Sequence, residues 1–485
     1  MFSPTVRLVS TVLLGAMVAT GCATPDLGPP SSTTLAIETP TPTPTPEADS
    51  ALGPSNTTTT TTVTVETDPT PTPTPVPDPE PGITEDIIRI GVIADASTGA
   101  VGDDRGLSAW NAVAAWAQAV NDEGGLADRR VVVDFIDSAV FNHEDAVREA
   151  CVANVFALVG SWALNDDQGL DMLLSPDCSL PDFAAEARTP RRRQSPATYG
   201  SNPFANNLSL AGPAAYLAEQ FPDSVANAAA PVLDIESKII SGERLLETYT
   251  DAGWTITQRP VIALDADLTE TAAQLAEAEI DALVWDADGG RLIDLLGALD
   301  ELDALPTVVD CRQVCYDQDW VTAAGPLGEG VGVSLTNVPF EEADTAVELT
   351  LYEFWLGRAR PDAVPDAVGL AAWSAGRLFE DAVNRATLEG TANYDPDRLT
   401  QAAVLDAAET ITDWDANGLH GVSNPADDVP SPCFVALALV EGAWIRVHPF
   451  GRGEFDCEDG NVIELEATLE LGLDNPQDEA IVPDN

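Results

Sequence analysis

Of its 485 residues this chain spends only one on lysine, Lys238, and three on histidine. Basic residues are few altogether, 22 against 80 acidic, giving a formal charge of −58. A surface this negative repels phosphate backbones and anionic lipid, which excludes nucleic acid as a partner. The histidines (His143, His420 and His448) stand apart from any acid-base or metal-ligating partner in the sequence. No G-x-S-x-G elbow occurs, and Gly328, Gly330 and Gly332 lack both nucleotide-fingerprint spacings. These gaps argue against an enzyme and against a cofactor or bound metal. Long apolar runs are missing as well: nothing approaches the ~20 residues needed to cross a bilayer.

What is present begins with a short region carrying Arg7 and an apolar run over 8–19 that leads to Ala19-Thr20-Gly21-Cys22. A run of about 12 apolar residues is the length of a secretory signal core. Small residues ahead of a cysteine are similar to a bacterial lipoprotein cleavage site, with Ala19 where Leu is commoner. Residues 1–22 therefore read as a signal peptide, with Cys22 as the lipidated first residue of the exported chain. More than one acyl chain gives stable anchoring, so the protein is expected on the outer face of the cytoplasmic membrane. Residues 23–82 are Thr, Pro, Ser and acidic, with TPTPTP repeats and an unbroken threonine run over 57–62. Such a segment buries too little apolar surface to offset its ordering entropy. It reads as a tether, and ~60 extended residues reach beyond ~100 Å.

About 400 residues remain, enough for two or three domains with real cores. With Cys22 set aside, six of the seven cysteines are left, an even number in an exported chain, which points to disulfides. The simplest arrangement pairs sequence neighbours: Cys151 with Cys178, Cys311 with Cys315, and Cys433 with Cys457. Cys311-x-x-x-Cys315 also admits a metal reading, but no histidine lies near it.

The organising stretch is 87–137. Alternating β-branched residues (Ile88, Ile90, Val92) end in a Ser/Thr/Gly turn, and apolar residues at helical spacing follow (Leu107, Trp110, Val113, Ala114, Ala117, Val120). Gly124 and Gly125 stop the helix, and a second apolar strand over 131–136 comes next. Strand, crossover helix and strand form the right-handed unit of a parallel sheet.

This order (IRIGV, a TG loop, an Ala-rich helix ending in N-x-x-GG, a strand ending in Asp) resembles the start of the branched-chain amino acid binding proteins. Those are solute receptors of ABC importers with the type I periplasmic binding fold. ALVGSW over 157–162, GLAAWSAGRLFEDAVNRA, DWDANGLHGVSN and VALALVEGAWIRVHPF resemble later parts of the same family, so the likeness runs over 83–450. It implies two doubly wound α/β parallel-sheet lobes joined by a three-segment hinge, without catalysis and as a monomer.

The pattern restarts after a turn-rich crossing at 198–210. Helices are expected at 214–220, 242–252, 269–278 and 291–302, and strands at 229–235, 255–261, 282–285 and 307–309. The resemblance implies further crossings near Val338 and Val429, which divide the chain into lobe 1 (83–206 and 339–429) and lobe 2 (207–338 and 430–450). Residues 451–485 read as an acidic extension, weakly alternating over 462–471, that either adds a strand or, as the preferred reading, is solvated.

Ligands of doubly wound sheets lie beyond the carboxyl ends of the strands. That places Asp95, Ser97, Thr98, Ser161, Trp162, Asn165, Ala184 and Glu186 in lobe 1, and Asp286, Asp288, Asp310 and Arg312 in lobe 2. The resemblance implies a ligand carboxylate near Ser161, or Asn165 and Asp166, and near Ala184 and Glu186, with the ligand ammonium at an acidic residue of lobe 2. Glu186 departs from the family pattern of Ser or Thr, and would repel a carboxylate unless protonated or paired with Arg188. An amine, amide or peptide-like solute is therefore expected. Trp162 and Trp285 could clamp it by stacking or fill a core. The run 191–193 reads as a solvated basic loop, or as a contact to a permease or lipid.

The function expected is capture of a small polar solute for an ABC permease and its ATPase, carried on other chains. A ligand-sensing module reporting to a non-transport partner is the alternative.

Overall fold

The computed structural model describes residues 80–97, 105–389 and 393–466. The signal sequence, Cys22, most of the tether, Thr98 and residues 467–485 lie outside them. Strand β1 (Ile87–Ala94) pairs in parallel with β2 (Arg130–Asp137), from Ile87 opposite Arg130 to Ala94 opposite Asp137. On its other side lies β3 (Ala157–Val159), followed by β4 (Asp182–Ala184) and β5 (Thr198–Gly200), giving the parallel order β2-β1-β3-β4-β5. A strand with neighbours on both edges and helices on both faces must be apolar throughout. Accordingly Ile88, Ile90, Val92, Ile93 and Ala94 are fully buried.

After β6 (Leu208–Leu210) the chain builds a second sheet. Its parallel part comprises β7 (Ala228–Ala229), β9 (Ile256–Gln258), β11 (Ala282–Val284), β12 (Val308–Asp310) and β13 (Gly332–Leu335). Two pieces, β8 (Val232–Leu233) and β10 (Val261–Ile262), pair only with each other. The strands expected at 229–235 and 255–261 are thus each broken in two. Pro231 and Pro260 sit at the breaks, where a missing N–H interrupts a ladder. A small pair, β14 (Leu388–Glu389) and β15 (Asn393–Tyr394), follows the long helix Ala367–Ala386. The hairpin β16 (Val435–Val440) and β17 (Ala443–His448) then joins the second sheet antiparallel beside β13, for the order β17-β16-β13-β12-β11-β7-β9.

The helices pack on the sheets through apolar faces. Gly106–Asp122 packs with Val347–Ala359 and Ala367–Ala386 in one core that includes Trp116, Phe183, Trp373 and Phe379. Burying a large apolar side chain of this kind contributes about 2 kcal/mol. Trp116 meets Phe379 edge-on with centroids 6.0 Å apart. Gly376 makes room for it, since a Cβ there would lie 2.6 Å from the indole. A separate core under the second sheet holds Trp285, Trp320 and Trp444.

Three connecting segments run side by side between the sheets. Asn337 bridges His420, the Asn202 amide donates to Thr336 Oγ1 at 2.7 Å, and Ser423 Oγ donates to the Ser201 carbonyl at 3.2 Å. The first begins later than expected, because β5 within 198–210 belongs to the first sheet and β6 pairs with the carboxyl-terminal region. Of the two readings of the carboxyl-terminal region, the added strand is the one found at 462–464 in place of the preferred solvated one: β18 (Val462–Glu464) lies antiparallel to β6. Cys457 in the same region is joined to Cys433, and the other bridges are Cys151–Cys178 and Cys311–Cys315.

Candidate ligand-binding site

A cavity of about 180 Å³ lies where the carboxyl ends of both sheets face each other. Of the residues expected there, three line it: Glu186 after β4, Asp286 after β11 and Arg312 after β12. The others serve the framework. Asp95 is fully buried and accepts from Ser138 Oγ at 2.6 Å, from the Val140 amide at 2.8 Å and from the Leu164 amide at 2.7 Å, so it ties three loops together. The Ser97 amide donates to Asp137. Ser161 Oγ accepts from the Ile93 amide inside the sheet, and the Asn165 amide group donates to the Val140 carbonyl. Ala184 is buried at its strand end. Asp288 caps the helix Gly289–Asp300 by accepting from the Arg291 amide. Asp310 accepts from Tyr249 Oη and from the Arg312 amide behind the cavity wall. Trp285 is a core residue whose indole donates to the Asp288 carbonyl.

The cavity is more basic than its sequence neighbourhood suggested. Arg105, Arg188, Arg193, Lys238, Arg244 and Arg312 line it. Against these six cations stand, among the described lining residues, only Glu186 and Asp286, in a protein whose net charge is −58. The helix Glu236–Asp251 supplies much of this wall: Lys238, Ser241, Arg244, Leu245, Thr248 and Tyr249 recur at helical spacing on its cleft-facing side. Of the run 191–193, only Arg191 is exposed. Arg192 is buried against Asp182 at 2.7 Å, and Arg193 lines the cavity, so the reading of a solvated loop is corrected.

The two carboxylates are already engaged. Glu186 accepts from Arg188 at 2.8 Å and from the Trp162 indole at 3.1 Å. Burial opposes its ionisation, but Arg188, Trp162, Arg105 and Lys238 outweigh it and hold the carboxyl below its ordinary range. Trp162 is a buried prop with the Arg105 and Arg188 guanidinium groups 5.4 Å and 5.0 Å from its ring centroid. Asp286 lies between Lys238 Nζ and Arg312 Nη1, each at 3.3 Å. Burial raises its pKa, yet Lys238 and Arg312 bring it down to about 2. Burial lowers the pKa of Lys238 against the pull of Asp286, and Arg188 and Arg105 lower it further. Arg244, fixed on the carbonyls of Ala205, Asn206 and Leu208, falls to about 9 through burial and then its neighbours Arg193 and Arg312. The two lining carboxylates, Glu186 and Asp286, are therefore already paired with the protein's own cations.

A smaller annex of about 50 Å³ adjoins the cavity, bounded by Phe204, Ala185, Leu370, Leu419 and His420. Burial lowers the pKa of His420, which keeps the ring neutral between Ser374 Oγ and the Gly421 carbonyl. No group of histidine, cysteine and acidic side chains suited to a metal occurs among the described residues.

The family model for periplasmic binding proteins matches residues 87–442. The chain belongs to the periplasmic binding protein family. No curated protein matches it by sequence. This periplasmic binding protein is similar in fold to a fatty acid ABC transporter substrate-binding protein from Thermomonospora curvata (15% identity, TM-score 0.65, 79% of this chain and 96% of that one). It is also similar to an ABC transporter solute binding protein from R. palustris in complex with benzoate (14%, TM-score 0.59, 77% and 98%). A leucine binding protein, LivK, from Thermotoga maritima is a third (14%, TM-score 0.58, 74% and 97%). The type I fold, with two sheets and a cleft, is common to these structures. The family is extracytoplasmic, and no helix of the described residues is long and apolar enough to cross a membrane.

Proposed function

We propose that this chain is the solute receptor of an ABC importer, held on the outer face of the cytoplasmic membrane through a lipid on Cys22 and a tether over 23–82. Its two halves, 83–206 with 339–429 and 207–338 with 430–450, rotate about the three connecting segments and close over one small anionic solute. The monomer then presents the closed form to a permease, whose ATPase drives release.

One observation carries the choice of solute: six cations converge on a single cleft in a strongly acidic protein. Burying that many like charges costs stability, and a bound anion returns it. Of the structural relatives, one is a fatty acid ABC transporter substrate-binding protein and another is in complex with benzoate, and both compounds are acids.

Thermal denaturation of the purified protein against acids, amines and neutral amides tests the reading. A ligand at about 100 times its Kd adds ~2.7 kcal/mol to stability. Acids are expected to raise the melting temperature. A response confined to amines or neutral amides would refute the assignment.

A further inference from the structure

The cationic lining divides into two poles supplied from opposite sides of the cleft. On the side of the first sheet, Arg188 is paired with Glu186 beneath the Trp162 indole. On the side of the second sheet, Lys238 and Arg312 share the single carboxylate Asp286, both at 3.3 Å. Lys238 Nζ also donates to the Asp286 carbonyl at 2.7 Å, but an ammonium carries three donors and a guanidinium five, so one aspartate does not use up the donors of both cations. Between the poles stand Arg193 and Arg244. Their guanidinium bonds run to the Ala187 and Arg188 carbonyls and to the Ala205, Asn206 and Leu208 carbonyls respectively, which hold the groups in place and leave their charge uncompensated by those contacts. Leaving Arg105 aside, among the described residues five cavity cations face two lining carboxylates, an excess of three positive charges in that set.

A ligand with one carboxylate satisfies one pole and leaves the other as it was. We infer that the cleft is built for a small solute with at least two anionic groups, one held by Arg188 and the other by Lys238 and Arg312, so that the ligand itself bridges the two halves. Dicarboxylates, tricarboxylates and phosphate esters share this chemistry. Serine and threonine hydroxyls along the wall, Ser241, Thr248 and Ser334 among them, suit the polar body of such a solute. The inference rests on the anionic-solute reading above and narrows it.

The test is calorimetric titration of the purified full-length protein at about 0.15 M salt. Its arms are succinate and citrate, glycerol 1-phosphate, the single-acid probes butyrate and benzoate, and putrescine. At least one multiply charged anion is expected to bind roughly 10-fold or more tighter than either single acid, and the responding arm separates carboxylate from phosphate chemistry. Arg188→Gln and Lys238→Gln should each weaken that anion roughly 10- to 100-fold, the worth of one charge-assisted contact. Arg188→Lys should recover part of the loss, which a variant that merely fails to fold cannot do. Single acids binding as tightly as the multiply charged ones would overturn the two-pole inference while leaving an acid receptor standing. Binding of putrescine alone, or of no anion at millimolar concentration, would overturn both.

Discussion

Asp286 is the site's internal counter-ion, and Asp286→Asn isolates its contribution. In the folded protein its pKa is drawn to about 2 by Lys238 and Arg312, against an ordinary 3.8. A depressed carboxylate contributes stability that is present above the unfolded pKa and is lost as the pH falls through the folded one. The gap corresponds to about 2 kcal/mol at neutral pH, and because the side chain is only 25% exposed, little of this is screened. Urea unfolding at pH 7 should therefore show Asp286→Asn less stable by about 2 kcal/mol, and the deficit should shrink to about half by pH 3. The same substitution releases Lys238 and Arg312, so affinity for the anion identified by calorimetry should rise while the ligand-free protein weakens. Equal stability of the two proteins at pH 7, or a deficit that does not diminish in acid, would refute the account of Asp286 as a charge held by its two neighbours.

Other expectations follow from the framework. Buried His143 has its pKa lowered to about 4 by burial and by Arg192, so the unfolded chain takes up a proton first as the pH drops from 6.5; stability should fall by about 3 kcal/mol between those values, and His143→Asn should flatten that part of a pH series of melts. Gly160 has φ +71° and a Cβ there would meet Val113 at 2.3 Å, so Gly160→Ala should cost about 1–3 kcal/mol in denaturant unfolding. Replacing both Cys433 and Cys457 by Ser opens a loop with a sequence separation of 24 and should cost about 3 kcal/mol on the chain-entropy account, read from the urea midpoint. Cys22→Ser should move the protein from the membrane fraction to the soluble extracellular fraction in a cell fractionation assay.

The fold was legible where burial is two-sided or strongly periodic. Ile90 to Ala94 form an apolar run because helices cover both faces of that strand, and Gly124 with Gly125 end the following helix where left-handed backbone is needed. Pro231 and Pro260 broke strands that their apolar neighbours had suggested were continuous. The pairing of Val462–Glu464 with Leu208–Leu210 joins segments too far apart in the chain for local pattern to reveal. For the site, positions after strands were the right place to look for Glu186, Asp286 and Arg312, and the departure at Glu186 is met by Arg188. Yet strand-end carboxylates such as Asp95 and Asp288 were already satisfied by backbone amides, which only three dimensions disclose. The cations missed, Arg193, Lys238 and Arg244, sit on helices rather than after strands. Their signal was present in the spacing of Lys238, Ser241, Arg244 and Thr248, polar residues on one side of a helix, and in the rarity of positive charge itself.

That rarity has a practical outcome. The sole side-chain primary amine of the chain stands in the cavity, about four-fifths shielded from solvent, with its pKa lowered by burial. An acylating reagent therefore has one internal target, and the mass gained by the peptide containing Lys238 becomes a direct occupancy meter: modified when the cleft is empty, protected when it is filled.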